Sequence, residues 1–108
     1  MQDDSFAETF AALGNKRRLQ IVQWLSDPVA HFPPQRDGDL LTDGVCAGAI
    51  VRKLGVSQPS VAAHMKILTR TGIVSAKRIK QWTFHQLDTD ALEKAQALIG
   101  ELANAGKR

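Results

Sequence analysis

The chain has 108 residues, of which 44% are hydrophobic and 23% are charged, and its formal net charge is +3 at pH 7. This length fits one domain, and it is short for an enzyme with a deep pocket. No apolar run is long enough to span a bilayer and the first residues are acidic, which excludes an integral membrane protein and predicts a cytoplasmic location. Cys46 is the only cysteine, so the sequence implies no internal disulfide.

The net charge is unevenly distributed along the chain. Residues 1–45 have a net charge of −3 and residues 88–108 have a net charge of −1. Residues 46–87 carry seven Lys or Arg residues and no Asp or Glu. A long basic segment without acids is typical of a surface that binds a polyanion such as nucleic acid.

The first helix is predicted at residues 6–13. Ser5 and Glu8 have the spacing of a capping box, in which both side chains accept hydrogen bonds from backbone N–H groups at the start of a helix. Gly14 is suited to end this helix because it tolerates the conformations found there. The apolar residues recur at a helical spacing: Phe6, Phe10 and Leu13.

A second helix is predicted at residues 16–25, with Asn15 as its N-cap. Lys16 and Arg17 begin this helix, where the helix dipole disfavours positive side chains. Two interpretations remain open: these cations bind a phosphate backbone, or they belong to a solvated surface. The apolar residues of this helix repeat on one side: Leu19, Val22 and Leu25.

Residues 29–44 are the least regular stretch, with two prolines, two glycines and three aspartates. A connector of this length in a small domain is either functional or poorly ordered. A third helix is predicted at residues 45–54, and Cys46 lies near its start, where the helix dipole favours a reactive thiol. Cys46 is therefore a candidate redox sensor. The alternatives are a small buried hydrophobe or a metal pair with His31.

Residues 55–71 have the pattern of a turn followed by a recognition helix. Gly55 is suited to the left-handed conformation that ends a helix, Ser57 can cap the next helix, and Pro59 fits its first turn. Three apolar residues form a buried stripe: Val61, Met65 and Leu68. The candidate DNA-binding residues lie at the start of this helix and on or beside the face opposite the buried stripe: Ser57, Gln58, Pro59, Ser60, Ala63, His64, Lys66 and Arg70.

Several of these residues have alternative roles. Gln58 and Ser60 either hydrogen-bond bases and phosphates or serve only in capping and solvation. His64 lies beside the buried stripe and either contacts DNA or is a structural histidine. Lys66 and Arg70 supply positive charge for phosphate groups, which strengthens binding to any DNA sequence.

A basic β-hairpin is predicted after the recognition helix, with strands at residues 73–79 and 82–87. Arg78 and Lys80 add to phosphate affinity, and Gln81 either enters a minor groove or is an inert turn residue. A hairpin in this place is a wing. The sequence therefore predicts a mainly helical winged helix-turn-helix fold, with five helices and a two-stranded wing in one domain that spans residues 1–108.

The last helix is predicted at residues 88–103, with Asp88 as its cap. Its apolar residues have the spacing of a helix–helix contact: Leu92, Ala95, Ile99 and Leu102. A stripe of this kind needs a partner, which is either the first helix or the same surface of a second subunit.

The chain resembles the ArsR family of dimeric winged-helix transcriptional repressors. The resemblance covers most of the chain outside residues 29–44 and is carried by five segments: residues 12–21, 54–61, 64–68, 72–74 and 77–87. It implies that the protein binds a double-stranded DNA operator and that an effector relieves this binding. It also implies a homodimer whose interface is formed by the first and last helices, through Phe6, Phe10, Leu92, Ala95, Ile99 and Leu102.

The sequence departs from this family at two kinds of position. The family's thiolate metal site needs a Cys-x-Cys pair followed by Asp, whereas this chain has Cys46 followed by Ala, Gly and Ala. The positions of the family's second metal site carry no ligand: Thr89, Ala91, Leu102 and Ala105. We therefore expect no metal and no cofactor, with a small molecule or oxidation of Cys46 as the effector signal. Ala62 and Ala63 also replace a Ser-Arg pair that faces DNA in many relatives.

These observations predict a sequence-specific DNA-binding regulator that represses transcription. The alternative is a winged-helix module that binds another protein without specific DNA contact. An enzyme is disfavoured, because the single cysteine and the histidines come with no third orienting group and no phosphate-binding loop. The sequence does not identify the operator or the regulated genes.

Overall fold

A computed structural model describes residues 4–108 as a mainly helical fold with one small sheet. Its elements are α1 (Ser5–Leu13), α2 (Lys16–Ser26), α3 (Pro28–His31), β1 (Val45–Cys46), α4 (Ala47–Leu54), α5 (Gln58–Arg70), β2 (Val74–Ile79), β3 (Trp82–Leu87) and α6 (Thr89–Gly106). The sheet is antiparallel with strand order β1-β3-β2. The helices α4 and α5 form the helix-turn-helix, and β2 and β3 form the wing.

The structure corrects the expected count of five helices and two strands. The part of the chain from residue 4 onward has six helices and three strands, because Pro28–His31 forms α3 and Val45–Cys46 forms β1. In β1, Val45 pairs with His85 of β3. Neither element is long enough to show a helical or alternating pattern in the sequence. Each depends on contacts with the rest of the fold.

The start of α1 differs from the prediction, and the capping box is wrong. Asp4 is the N-cap residue, and Ser5 already lies inside the helix. The Ser5 carbonyl oxygen accepts a hydrogen bond from Thr9 Oγ1 at 2.9 Å. Because Ser5 has a helical backbone, it is not the N-cap residue that a capping box requires. Within α1, Thr9 and Ala12 are buried. The predicted apolar face is only half-buried: Phe6, Phe10 and Leu13.

The start of α2 confirms the predicted cap. Asn15 Oδ1 accepts hydrogen bonds from the backbone N–H groups of Arg17 and Arg18, each at 3.1 Å. The predicted apolar side is only partly right, because Leu19 is 43% exposed. The buried residues of α2 are Ile21, Val22 and Leu25.

The connector between α3 and β1 (residues 32–44) is a packed part of the fold. Gln35 Oε1 accepts a hydrogen bond from the Cys46 backbone N–H at 2.6 Å, and Gln35 Nε2 donates to the Gly44 carbonyl at 2.9 Å. The connector also covers one face of the sheet, where a Cβ atom on Gly38 would lie 2.6 Å from the Phe84 ring. An irregular sequence here therefore encodes a fixed conformation.

The core lies between the helices and the sheet. The predicted stripe of α5 is confirmed, because Val61, Met65 and Leu68 are all buried. Ile50 of α4 and Phe84 of β3 are buried as well. Among the helices of residues 4–108, none is long and apolar enough to cross a membrane.

The helix α6 begins at the predicted cap and is longer than expected. Asp88 Oδ1 accepts a hydrogen bond from the Asp90 backbone N–H at 3.1 Å, and the helix continues to Gly106. Ala95 is buried against the rest of the fold. Ile99 is 53% exposed and Leu102 is 63% exposed, so the distal half of the apolar stripe lies at the surface.

Candidate nucleic-acid interface

The helix-turn-helix has the local geometry that the sequence predicts. Gly55 ends α4 in the left-handed conformation, with φ of 73°. Ser57 caps α5, because its Oγ accepts a hydrogen bond from the Ser60 backbone N–H at 3.3 Å. The Ser57 hydroxyl also donates to Ser60 Oγ at 3.0 Å, so both hydroxyl groups have partners within the turn. This capping contact is one of the two roles that the sequence allows for Ser60.

The outer face of α5 is exposed over its full length. Its exposed candidate residues are Gln58, Pro59, Ala63, Lys66 and Arg70, together with the cap residue Ser57. Lys66 and Arg70 lie one helical turn apart, and neither forms an ion pair within residues 4–108. The face therefore combines a polar side chain at the N-terminal end with two cations that remain available for an anionic partner.

His64 lies at the contact between α5 and α2. It is half-buried, and its Nδ1 lies 3.4 Å from Arg18 Nη1. Arg18 also donates from Nε to the Ala12 carbonyl at 2.8 Å, which holds the guanidinium in place. Burial, followed by the positive charges of Arg18 and Arg17, lowers the pKa of His64. This arrangement supports the structural role of His64, and it places the positive charge of the exposed Arg17 close to the recognition helix.

The wing turns at Lys80, which has a positive φ of 56°. Arg78 and Gln81 are exposed next to this turn, and Arg78 Nε donates to the Lys80 carbonyl at 3.3 Å. Trp82 is 42% exposed, whereas Phe84 on the same strand is 2% exposed. The wing thus presents an aromatic side chain next to its basic tip.

Connector acids lie against the basic wing. Lys77 Nζ is 2.6 Å from Asp43 Oδ1, and Lys80 Nζ is 3.5 Å from Asp37 Oδ1. A hydrogen bond from the Asp39 backbone N–H, followed by Lys77, lowers the pKa of Asp43. The basic segment of the sequence therefore has acidic neighbours in space, which the charge pattern along the chain does not reveal.

The comparisons with known proteins agree with this architecture. The chain is 41% identical over 87 residues to the uncharacterized HTH-type transcriptional regulator YbzH of Bacillus subtilis, which is 81% of this chain and 87% of that protein. It is 30% identical over 69 residues to the transcriptional repressor SdpR of Bacillus subtilis, which is 63% of this chain and 77% of that protein. No protein-family model matches the chain.

Solved structures of ArsR-family regulators share the fold. One related structure is the homodimeric winged helix-turn-helix DNA-binding domain of Mb0332 from Mycobacterium bovis, a possible ArsR-family regulator. It matches with a TM-score of 0.63 and 23% identity, covering 94% of this chain and 80% of that chain. The chain belongs to the HTH-type transcriptional regulators.

The positions that the resemblance to the ArsR family assigns to metal sites lie at the start of α4 and on α6. Within residues 4–108, no three His, Cys, Asp or Glu side chains lie close enough together to hold a metal ion. Cys46 is the N-cap residue of α4, and its thiol makes no capping hydrogen bond. It is half-buried and lines a cavity of about 280 Å³ together with Arg52 and Trp82.

The six residues predicted at the dimer interface differ in burial. Ala95 is buried and Leu92 is half-buried within the protomer, where α6 packs against the rest of the fold. The remaining members leave apolar surface uncovered: Phe6, Phe10, Ile99 and Leu102.

Two further residues, Thr83 and His85, line a cavity, and their sequence pattern alone assigns them no role. Thr83 and His85 share one face of β3, as the alternation predicts, and both line a cavity between the sheet and α5. Their alternation is visible in the sequence. The sequence does not show that α5 covers these two residues, because α5 and β3 come together only in the tertiary fold.

Proposed function

We propose that this protein is a cytoplasmic repressor that binds operator DNA as a homodimer and is released by an effector. The observation that carries the proposal is the exposed outer face of α5, with Gln58 at one end and the unpaired Lys66 and Arg70 along it. Membership of a family of transcriptional regulators supports DNA binding. The likeness to a transcriptional repressor supports repression.

In this proposal α5 lies in the major groove. Gln58 and Ser60 at its N-terminal end read base edges, and Ala63 contacts thymine methyl groups. The phosphate contacts come from residues on three elements: Lys66, Arg70, Arg78, Lys80, Lys16 and Arg17. Gln81 at the wing tip lies over the minor groove, and His64 fixes α5 against α2.

Replacing Gln58 with alanine is expected to weaken operator recognition. Gln58→Ala removes a side chain that can form two hydrogen bonds with adenine, so discrimination between operator and unrelated duplex should fall about 10-fold to 100-fold. Binding to unrelated duplex should change little, because that binding depends on phosphate contacts. The measurement is a mobility-shift titration with the protein's own promoter and an unrelated duplex of equal length at fixed low salt.

Gln96→Ala on the exposed side of α6 is the matched control, and it should leave discrimination unchanged. If the native chain showed no preference for its own promoter, sequence-specific repression would be rejected. The remaining candidate would then be a protein-interaction module, which is consistent with the alanines at positions 62 and 63. A protein-interaction module should capture a protein partner, and Gln58→Ala should not change the amount of partner captured.

The homodimer is proposed to form through α1 and α6. The uncovered apolar residues Ile99 and Leu102 lie beyond the part of α6 that packs on its own protomer. Phe6 and Phe10 of α1 are half-buried and contribute further apolar surface to the proposed interface. A symmetric dimer with this interface places two recognition helices in successive major grooves, about 34 Å apart on a nearly palindromic operator.

A charge in this surface is expected to separate the subunits. Leu102→Glu places a carboxylate in the proposed interface, where its burial without a partner is unfavourable, so the chain should elute and sediment as a monomer. The measurement is analytical ultracentrifugation over a range of concentrations. Ala97→Glu is the control, because it adds the same charge on the opposite, exposed side of α6. A dimer that tolerates Leu102→Glu as well as Ala97→Glu would exclude this interface.

A further inference from the structure

A mainly apolar cavity of about 530 Å³ lies between α4, α5 and β3. Val51, Val61 and Met65 contribute to its apolar wall, and Val61 and Met65 are buried. Binding sites for small organic molecules are typically clefts of about 300–1,000 Å³, with apolar walls and a few well-placed polar groups. The cavity has the size and the lining of such a site.

His85 supplies a polar group in the sheet wall of this cavity. The residue is 6% exposed, and its Nδ1 is buried without a hydrogen-bond partner among residues 4–108. Burial lowers the pKa of His85 to about 4, so the ring is neutral at pH 7 and offers one N–H donor and one acceptor. Nδ1 has almost no accessible surface, so the ring nitrogen that a ligand in the cavity can reach is Nε2, which forms no hydrogen bond within residues 4–108. This nitrogen favours a ligand that carries a hydroxyl group.

Cations lie where the cavity opens to solvent. Lys66 and Arg70 are exposed, line the cavity and form no ion pair in the described part of the chain. Gln58 lies on the same side of α5 and lines the cavity as well. Two unpaired cations at the mouth of an apolar cavity are complementary to a ligand with one carboxylate.

We propose that this cavity binds a small aromatic carboxylate that carries a hydroxyl group, and that this ligand displaces operator DNA. The aromatic ring lies against Val61 and Met65, whose sulfur makes favourable contacts with aromatic rings. The hydroxyl group hydrogen-bonds to His85, and the carboxylate binds Lys66 and Arg70.

The displacement of DNA follows from shared residues. Gln58, Lys66 and Arg70 line the cavity and also belong to the proposed DNA-binding face. A ligand carboxylate on these cations excludes a phosphate group from the same positions, so the two partners compete directly. This second step rests on the proposed function, whereas ligand binding to the free protein does not.

The first test measures binding to the full chain without DNA. The probe is 6-hydroxy-2-naphthoate, with 2-naphthoate and 2-naphthol as comparison compounds that lack the hydroxyl group or the carboxylate. Calorimetric titration should give saturable binding of the probe and about 10-fold weaker binding of each comparison compound. The absence of saturable binding at millimolar probe, or equal affinity for all three compounds, would overturn the proposal.

The second test locates the site with a matched pair of variants. Ala62 is exposed and lines the cavity, whereas Ala30 is exposed on α3 and does not line it. Ala62→Phe should fill the cavity mouth and weaken probe binding at least 10-fold, and Ala30→Phe should leave it unchanged. His85→Leu should remove the preference for the hydroxyl group. Equal probe affinity in Ala62→Phe and Ala30→Phe would exclude this cavity.

The last test adds promoter DNA to the native chain. Saturating 6-hydroxy-2-naphthoate should weaken promoter binding at least 10-fold, and 2-naphthol at the same concentration should have a smaller effect. Probe binding without loss of promoter affinity would overturn the competition. A chain that binds the probe but never prefers its promoter would refute the proposed repressor and, with it, operator displacement, while the ligand site would stand.

Discussion

Replacing both Lys66 and Arg70 with alanine is expected to weaken DNA binding about 100-fold at low salt, for the operator and for unrelated duplex alike. Both side chains are exposed on the outer face of α5 and have no acidic partner in residues 4–108, so their charge is available to phosphate groups. Each lost phosphate contact should also reduce the slope of log affinity against log salt concentration by about 0.9. The measurement is fluorescence anisotropy with labelled duplex at several salt concentrations.

The matched control removes two cations elsewhere. Lys107→Ala with Arg108→Ala makes the same change in net charge at the end of α6, where both residues are exposed. This variant should keep most of the native affinity and the native salt slope. An unchanged slope in the Lys66→Ala, Arg70→Ala variant would mean that α5 does not contact the phosphate backbone.

Acidification from pH 6.5 to pH 4 is expected to destabilise the fold. Burial lowers the pKa of His85 to about 4, compared with about 6.5 in an unfolded chain, so the unfolded state binds a proton first. The stability from neutral His85 is complete above pH 6.5 and is lost as the pH falls towards 4. The loss amounts to at most about 3 kcal/mol, a large part of the stability of a small domain. The measurement is urea unfolding at pH 7.5, 6, 5 and 4.

Two variants separate His85 from the other titrating groups. His85→Leu should flatten much of this pH dependence, while His31→Leu removes an exposed histidine and should retain it. The lowered pKa of His64 acts in the same direction, so a smaller slope remains. The lowered pKa values of Asp39 and Asp43 act below about pH 4, where the carboxylates become protonated. An unaltered slope in His85→Leu would contradict the assignment.

The helix-turn-helix could be predicted from sequence because its signals are local. Gly55 ends one helix, Ser57 caps the next, and the buried stripe of α5 has the spacing of a single helical face. Each of these signals acts within four residues of the chain. The same reasoning predicts the wing hairpin and the cap of α6, since turns and caps also depend on neighbouring residues.

Features that depend on distant contacts could not be predicted. The strand β1 exists because Val45 meets His85, and the exposure of Leu19 depends on how α2 packs against the core. Arg18 shows the same limitation for the site. In the sequence Arg18 only follows two other cations, whereas in the fold it joins α1, α2 and His64.

The contact between the connector and the wing allows the charge of the wing to change independently of the residues on α5. Asp43 and Lys77 are 34 positions apart in the chain, and Asp37 and Lys80 are 43 positions apart. A substitution in the connector therefore alters the charge that the wing presents without altering α5. Under the proposed function, a substitution of Asp37 or Asp43 changes the affinity for DNA of any sequence and leaves the base preference set by α5 unchanged.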